Sequence, residues 1–293
     1  MSTSATMQIV RSIAELENIL NPRKREGRTV GFVPTMGFLH EGHLELVKEA
    51  KRDHDMVVMS IFVNPAQFGP GEDYEAYPRD EQHDAELAST AGVDYLFIPS
   101  VEDMYPRKSG IRILPGEQAS RLCGASRPGH FDGVLKVLLK LFSIVDPDES
   151  YFGMKDAQQL AIIETFVRDF NLRTSISRVP TVREEDGLAK SSRNVRLLEH
   201  ERNEASAIYR ALCQGKRSYY EGVPLQEVAK IVRKLIEEET SGTIDYVEVL
   251  AYPSLEENLT DTEEVILAAA VQFTSARLID NIIMSTIKDE KNV

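Results

Sequence analysis

The sequence predicts an open, doubly wound α/β domain with a Rossmann-like parallel sheet, followed by a smaller C-terminal α+β domain. Three observations carry this reading. Short apolar runs alternate with helical patterns from residue 29 to residue 179. The first strand, helix and strand fit within about 35 residues, the size of a βαβ unit with a right-handed crossover. After about Val182 the order changes to long amphipathic helices and then strands, the segregated pattern of an α+β domain.

Each element has its own signal. Residues 29–33 are β-branched and aromatic, and Pro34 is expected to stop that strand. Leu44, Val47 and Ala50 recur at helical spacing, so 43–52 is a helix. Residues 56–63 are almost unbroken apolar, as in a strand covered on both faces. The alternation continues with a helix over 84–91, a strand over 95–98 and an apolar helix over 134–144. A strand ending at Tyr151 and Phe152, a helix over 156–170 and a strand over 175–179 follow. Beyond them come helices over 199–220 and 225–239, then strands over 244–250 and 265–273. The domains are therefore placed at 1–182 and 183–293. The loop 183–194 holds the join, and its charge and Gly187 suit a mobile hinge. Residues 288–293 are expected to fray.

The 293 residues are 42% apolar and 28% charged, an ordinary globular balance. No apolar run approaches the roughly 18 residues of a membrane span. The first ten residues lack a basic, then apolar, leader, so a cytoplasmic protein is expected. Cys123 and Cys213 have no metal-ligand spacing and form no disulfide framework, so two reduced thiols are expected. The net charge of −13 disfavours nucleic acid and anionic membranes as partners. A nucleotide ligand would need a local basic pocket set against that field.

Four segments offer ligand groups, and three of them carry the basic residues this demand requires. Pro34-Thr35-Met36-Gly37-Phe38-Leu39-His40-Glu41-Gly42-His43 joins the first predicted strand to the first helix. Ligands of doubly wound sheets bind beyond the strands' carboxyl ends, where the next helix presents free N–H groups. Gly37 and Gly42 let backbone approach a ligand. His40 and His43 supply donors that can gain positive charge near a phosphate. The pattern matches the His-x-Gly-His signature of nucleotidylyltransferases and class I aminoacyl-tRNA synthetases.

The second segment, Val63-Asn64-Pro65-Ala66-Gln67-Phe68, offers neutral amides at a strand end. Asn before Pro also commonly starts a turn, and Gln67 reads equally as an exposed side chain. In the third, Phe152-Gly153-Met154-Lys155-Asp156-Ala157-Gln158-Gln159, Lys155 is a point charge suited to phosphate. Asp156 and Gln159 could also form a capping-box-like pair. The fourth, Lys190-Ser191-Ser192-Arg193, sets two hydroxyls between two cations, a grip for a triphosphate. It resembles the Lys-Met-Ser-Lys-Ser loop that accompanies His-x-Gly-His in class I synthetases.

Together with Arg127-Pro128-Gly129-His130-Phe131 and Ala276-Arg277-Leu278-Ile279-Asp280-Asn281, these motifs follow the order and approximate spacing of the pantothenate synthetase family, which the chain resembles over almost its whole length. The resemblance implies an ATP-dependent, AMP-forming ligase that joins pantoate to β-alanine through a pantoyl-adenylate. It implies Mg2+, release of pyrophosphate and a homodimer. By the same resemblance Met36, Gly37, Phe38, Leu39, His40, Glu41, Gly42 and His43 form an ATP segment, with His43 as proton donor. Gly153, Met154, Lys155 and Asp156 form a second, and Lys190, Ser191, Ser192 and Arg193 a third. Val182 is an adenine-side contact. Gln67 is shared by pantoate and β-alanine, and Gln159 is the second pantoate-binding glutamine. His40, His43, Lys155, Ser191, Ser192 and Arg193 are the expected catalytic groups, and the magnesium ligands are not assigned. Lys190 stands where many relatives have an apolar residue, so the serines and Arg193 carry the third segment, and Glu41 stands where aspartate is frequent, a change that keeps the charge.

Overall fold

The computed structural model describes residues 6–72, 74–259 and 262–286. The expected fraying at 288–293 lies outside the described residues. The chain divides into two compact units, Met1–Met154 with Ile162–Pro180, and Lys155–Ala161 with Thr181–Val293.

The first unit runs β1 (Gln8–Val10), α1 (Ile13–Arg25), β2 (Val30–Thr35), α2 (Glu41–Asp53), β3 (Met56–Ile61), α3 (Glu81–Ala91), β4 (Tyr95–Phe97), α4 (Val101–Met104), α5 (Leu122–Ser126), α6 (His130–Val145), β5 (Glu149–Gly153), α7 (Ala157–Asp169) and β6 (Ser175–Val179). The start of α7 belongs to the second unit. The six strands lie in the order β1-β4-β3-β2-β5-β6, and every pairing is parallel. The winding reverses at β2, which is flanked by β3 and β5. Such a sheet places its crevice beyond the carboxyl ends of the central strands. All six residues of β3 are buried, as the unbroken apolar run requires of a strand covered on both faces.

Pro34 does not stop β2, which continues through Thr35. The reason is which side of the strand lacks a partner. The carbonyls of Thr29 and Thr35 accept from Met56 and Phe62 on the β3 side, whereas that of Val30 accepts from Asp148 on the β5 side. Pro34 faces as Val30 does, and the pairing with β5 ends at Phe32. The missing N–H therefore removes no ladder bond.

In the second unit the predicted helix over 199–220 is two helices, α8 (Glu199–Ala205) and α9 (Ala207–Tyr220), separated at Ser206. They are followed by α10 (Leu225–Glu239). Val228, Val232 and Ile236 of α10 are fully buried at helical spacing. They pack in one core with Leu212, Val265 and Leu267. The closest approach needs Gly215, where a Cβ would stand 2.5 Å from Val232 and 2.9 Å from Leu267. The antiparallel sheet has three strands rather than two, β7 (Thr243–Tyr252), β8 (Glu264–Gln272) and β9 (Arg277–Ser285), with β8 in the centre. The alternation of β9 is hidden in sequence because an acidic residue, Asp280, takes an inward position.

Candidate active site

The first candidate group lies on a loop locked from beneath. After Thr35 the chain reverses at Gly37, whose φ of +83° favours glycine and whose Cβ would lie 2.9 Å from both Asp84 Oδ2 and Ile61. Phe38 is also left-handed, at +52°. Asp84 of α3 holds this backbone: its Oδ2 accepts from Phe38 N–H at 2.8 Å and its Oδ1 from Leu39 N–H at 2.6 Å. Burial raises the Asp84 carboxyl above its ordinary value, and these two N–H bonds oppose the shift. Thr35 adds a third tie, donating to Ser60 O at 2.8 Å and accepting from Gly37 N–H at 3.1 Å.

His40 is the N-cap of α2, and the two histidines cap each other's turn. His40 Nδ1 accepts from Gly42 N–H at 3.2 Å, and His43 Nδ1 accepts from His40 N–H at 3.3 Å. A ring nitrogen that accepts carries no proton, so in both rings the proton sits on Nε2. The histidines are therefore neutral donors in this arrangement. Positive charge near a phosphate, the role expected of them from sequence, would cost both cap bonds. The rings stand 4.1 Å apart, centroid to centroid. A helix N-terminus with two N–H-bearing rings is an anion site.

Gln67 is 8% exposed, so the reading of an exposed side chain fails. Asn64 is a turn-starter, as its place before proline allows, and its Oδ1 caps the turn by accepting from Ala66 N–H at 3.1 Å. Its Nδ2 donates to Gln67 Oε1 at 3.0 Å and to Gly133 O at 3.1 Å. Gln67 Nε2 donates to Met36 Sδ at 3.0 Å. A thioether is a weak acceptor, so a ligand oxygen would be a better partner for that amide. A cleft beyond β3 and β4 is lined by Met36, Phe62, Asp84, Ile98 and Ser100. Gly153 closes β5, and Met154 opens the 3-10 turn Met154–Asp156.

The other unit carries its own group of candidate residues. Asp156 ends the 3-10 turn and directly precedes Ala157, the first residue of α7. Lys155 Nζ stands 3.7 Å from Asp156 Oδ2, and the Lys155 carbonyl accepts from Asn281 Nδ2 at 2.9 Å. Gln159, half-buried, lies four residues on, within α7. The loop 182–194 is a braced reverse turn. Lys190 N–H donates to Val182 O at 2.9 Å, and Glu184 N–H to Leu188 O at 2.8 Å. Beneath it Arg183 grips Asp280 with two bonds of 2.6 and 2.9 Å and stacks 3.5 Å from the Tyr209 ring centroid. Ser191 Oγ accepts from Arg193 N–H at 3.3 Å. Lys190, Ser191, Ser192 and Arg193 are all half-buried on this turn.

The structure thus gathers 36–43 with Gln67 in one unit and Lys155, Asp156, Gln159, Val182 and 190–193 in the other. Sequence reasoning missed Asp84 and the Arg183–Asp280 pair. The available signal for Asp84 was an acid four residues before buried Ala88, on the inward stripe of a helix.

The sequence model of the family described as pantoate-beta-alanine ligase matches residues 8–283. Pantothenate synthetase of Lysinibacillus sphaericus is 54% identical over 283 residues, 97% of this chain and 99% of the relative. That of Bacillus subtilis is 51% identical, over 97% of this chain and all of the relative. Among solved structures, pantothenate synthetase of Thermus thermophilus superposes with a TM-score of 0.89 at 44% identity, covering 94% and 99% of the two chains. A ligase from Francisella tularensis, solved with beta-gamma ATP and beta-alanine, gives 0.78 at 38% identity, covering 94% and 97%. With a family match over nearly its whole length and relatives above half identity, the chain belongs to the pantoate–β-alanine ligase family and is a ligase.

Proposed function

We propose that this ligase condenses pantoate with β-alanine in two steps, with adenylation at the 36–43 loop. In the first step a pantoate carboxylate oxygen attacks the α-phosphorus of ATP. The bridging bond to the β-phosphate breaks, and pyrophosphate leaves. In the second the β-alanine amine attacks the acyl carbon, the bond to the AMP oxygen breaks and the spare ammonium proton passes to solvent. The single observation that carries this reading is the reciprocal cap. It fixes both rings at the start of a helix, with each Nδ1 accepting a backbone bond and the ring proton on Nε2. His43 is the proton-bearing group nearest the reaction and His40 its partner. Gln67, poised on a weak thioether acceptor, takes pantoate and then β-alanine, and Gln159 takes the other end of pantoate.

Lys155, Lys190 and Arg193 neutralise the triphosphate, Ser191 and Ser192 donate hydrogen bonds to it, and Val182 lies beside the base. The second unit, Lys155–Ala161 with Thr181–Val293, carries those groups and serves as a lid. Among the described residues no three His, Cys, Asp or Glu side chains converge as a metal site. The donor set therefore fits a magnesium ion carried on the nucleotide's phosphates, the usual mode for that ion, where it would share their negative charge. A cytoplasmic location suits the substrates, and no described helix is long and apolar enough to cross a membrane. The protein works as a homodimer. What supports this is a segment without helix or strand that leaves Ile111 78% and Leu114 67% exposed.

The test is isotopic ATP–pyrophosphate exchange. Exchange that requires pantoate but not β-alanine is expected. Exchange with a phosphate acceptor in place of pantoate would instead indicate a nucleotidylyltransferase, and no exchange at all a nucleotide-binding scaffold.

A further inference from the structure

The motif Arg127-Pro128-Gly129-His130-Phe131 has no part in the scheme so far, yet it is wired to the Gln67 turn. His130 Nδ1 lies 2.8 Å from the Gln67 carbonyl, and its Nε2 lies 3.2 Å from Arg127 Nη1. A guanidinium only donates, so Nε2 accepts and Nδ1–H donates to Gln67 O. One neutral imidazole therefore separates the Arg127 charge from the Gln67 backbone. The distance is held by packing. A Cβ at Gly133 would stand 2.1 Å from the Ala66 carbonyl oxygen and 2.5 Å from Gln67 Cα, so α6 lies directly on that turn.

Arg127 already holds a carboxylate. Glu72 accepts from its Nε at 2.8 Å and from its Nη2 at 2.6 Å, a two-point fork. Both side chains are about a quarter exposed, 24% and 25%, so the fork is open to an anion from solvent. Two other cations near this turn are differently engaged. Lys136 Nζ lies 5.0 Å above the Tyr105 ring, and Arg79 donates to the carbonyls of Tyr74 and Tyr77.

The two substrates make different demands on such a cation. The pantoate carboxylate is the nucleophile of adenylation, and a guanidinium fork would blunt it. β-Alanine reacts through its amine, and its carboxylate is a passive anion roughly 5 Å away by ordinary bond lengths. That anion needs a fixed cationic partner near Gln67, and a single imidazole joins the Arg127 guanidinium to the Gln67 backbone. We propose that Arg127 is the seat of the β-alanine carboxylate. Glu72 is an internal stand-in that occupies the fork until β-alanine displaces it, and His130 positions the guanidinium against the Gln67 turn. The inference rests on the two-step reading above.

The test uses the full chain and separates the two half-reactions. Arg127→Met is expected to raise KM for β-alanine roughly tenfold to hundredfold, the range of a charge-assisted bond. Pantoate-dependent ATP–pyrophosphate exchange should stay near wild type. Arg127→Lys, which keeps the charge but loses the fork, should fall between. Glu72→Gln should lower KM for β-alanine at least about twofold, because more of the protein has its fork free. The neutral amide 3-aminopropanamide should be a poor amine for the wild type, and that preference should collapse in Arg127→Met. An unchanged preference in Arg127→Met, or a raised KM for β-alanine in Glu72→Gln, would overturn the proposal and leave the pair a structural brace. Loss of exchange in both Arg127 variants would overturn it equally, since the residue would then serve the fold. Absence of pantoate-dependent exchange in the wild type would instead defeat the two-step reading.

Discussion

The two units carry candidate ligand groups that are built by opposite means. In the first unit the candidate groups are two mutually capped histidine rings on a loop whose backbone N–H groups are held by a buried carboxylate and by Thr35. In the second they are Lys155, Lys190 and Arg193, cations on long side chains around a braced turn. The first group is preorganised and nearly charge-free, so it can favour a developing phosphate charge without rearranging. The second supplies charge that can follow a nucleotide as it binds and leaves. A protein with net charge −13 needs both, since charge alone would be opposed by the surrounding field.

The sharpest way to break this comparison is to remove the brace under the second group. Asp280 is 5% exposed, and Arg183→Ala strands its carboxylate. A loss of about 3–5 kcal/mol in denaturant unfolding is expected. The double variant Arg183→Met with Asp280→Leu should recover much of it. Next in size is the first group itself. His43→Ala should slow pantoate-dependent exchange by about 10²–10³, or roughly 2.7–4 kcal/mol. Its stability should fall by only about 1 kcal/mol, since a single cap bond is lost. A folded His43→Ala variant with near wild-type exchange would remove the first group from the chemistry.

Gln159→Ala sharpens the comparison at intermediate scale. Pantoate affinity should drop by roughly 0.5–1.5 kcal/mol, one neutral hydrogen bond, with the unfolding midpoint nearly unchanged. A lowered midpoint with intact affinity would return Gln159 to a capping role. In the third segment Arg193→Ala should weaken ATP binding and reduce the protection that ATP with magnesium gives the 190–193 turn against protease. Lys190→Ala should do less, within about 1 kcal/mol and shrinking as salt is raised. The smallest effect is one of pH. The Arg127 hydrogen bonds hold the Glu72 carboxyl below its ordinary value of 4.5. A carboxylate depressed in the folded state stabilises the fold above that ordinary value and loses the contribution as pH falls through its folded value. The stability difference between wild type and Glu72→Gln should therefore be flat above about pH 4.5 and vanish at lower pH.

The parts of the molecule legible in sequence were those whose signal is local. The unbroken apolar run 56–61, the glycine and histidine spacing of 36–43 and the segregated helices and strands after 182 each reflect one neighbourhood of the chain. What was hidden depends on partners distant in sequence. Pro34 is tolerated because β5 pairs β2 only as far as Phe32. β9 carries Asp280 inward because Arg183, almost a hundred residues earlier, meets it there. Asp84 holds Phe38 and Leu39 from another helix. The neutral state of the two histidines was invisible for a related reason. It is set by which ring nitrogen accepts a backbone bond, and residue types alone do not fix that.

The central claim is that ATP is attacked by the pantoate carboxylate. It is tested most directly by following oxygen. Pantoate labelled with 18O in both carboxylate positions should be turned over with unlabelled ATP and β-alanine, and the products weighed by mass spectrometry. The account predicts AMP that carries one labelled oxygen, pantothenate that keeps the other at its new amide carbonyl, and unlabelled pyrophosphate. Unlabelled AMP, or label in inorganic phosphate or pyrophosphate, would contradict it.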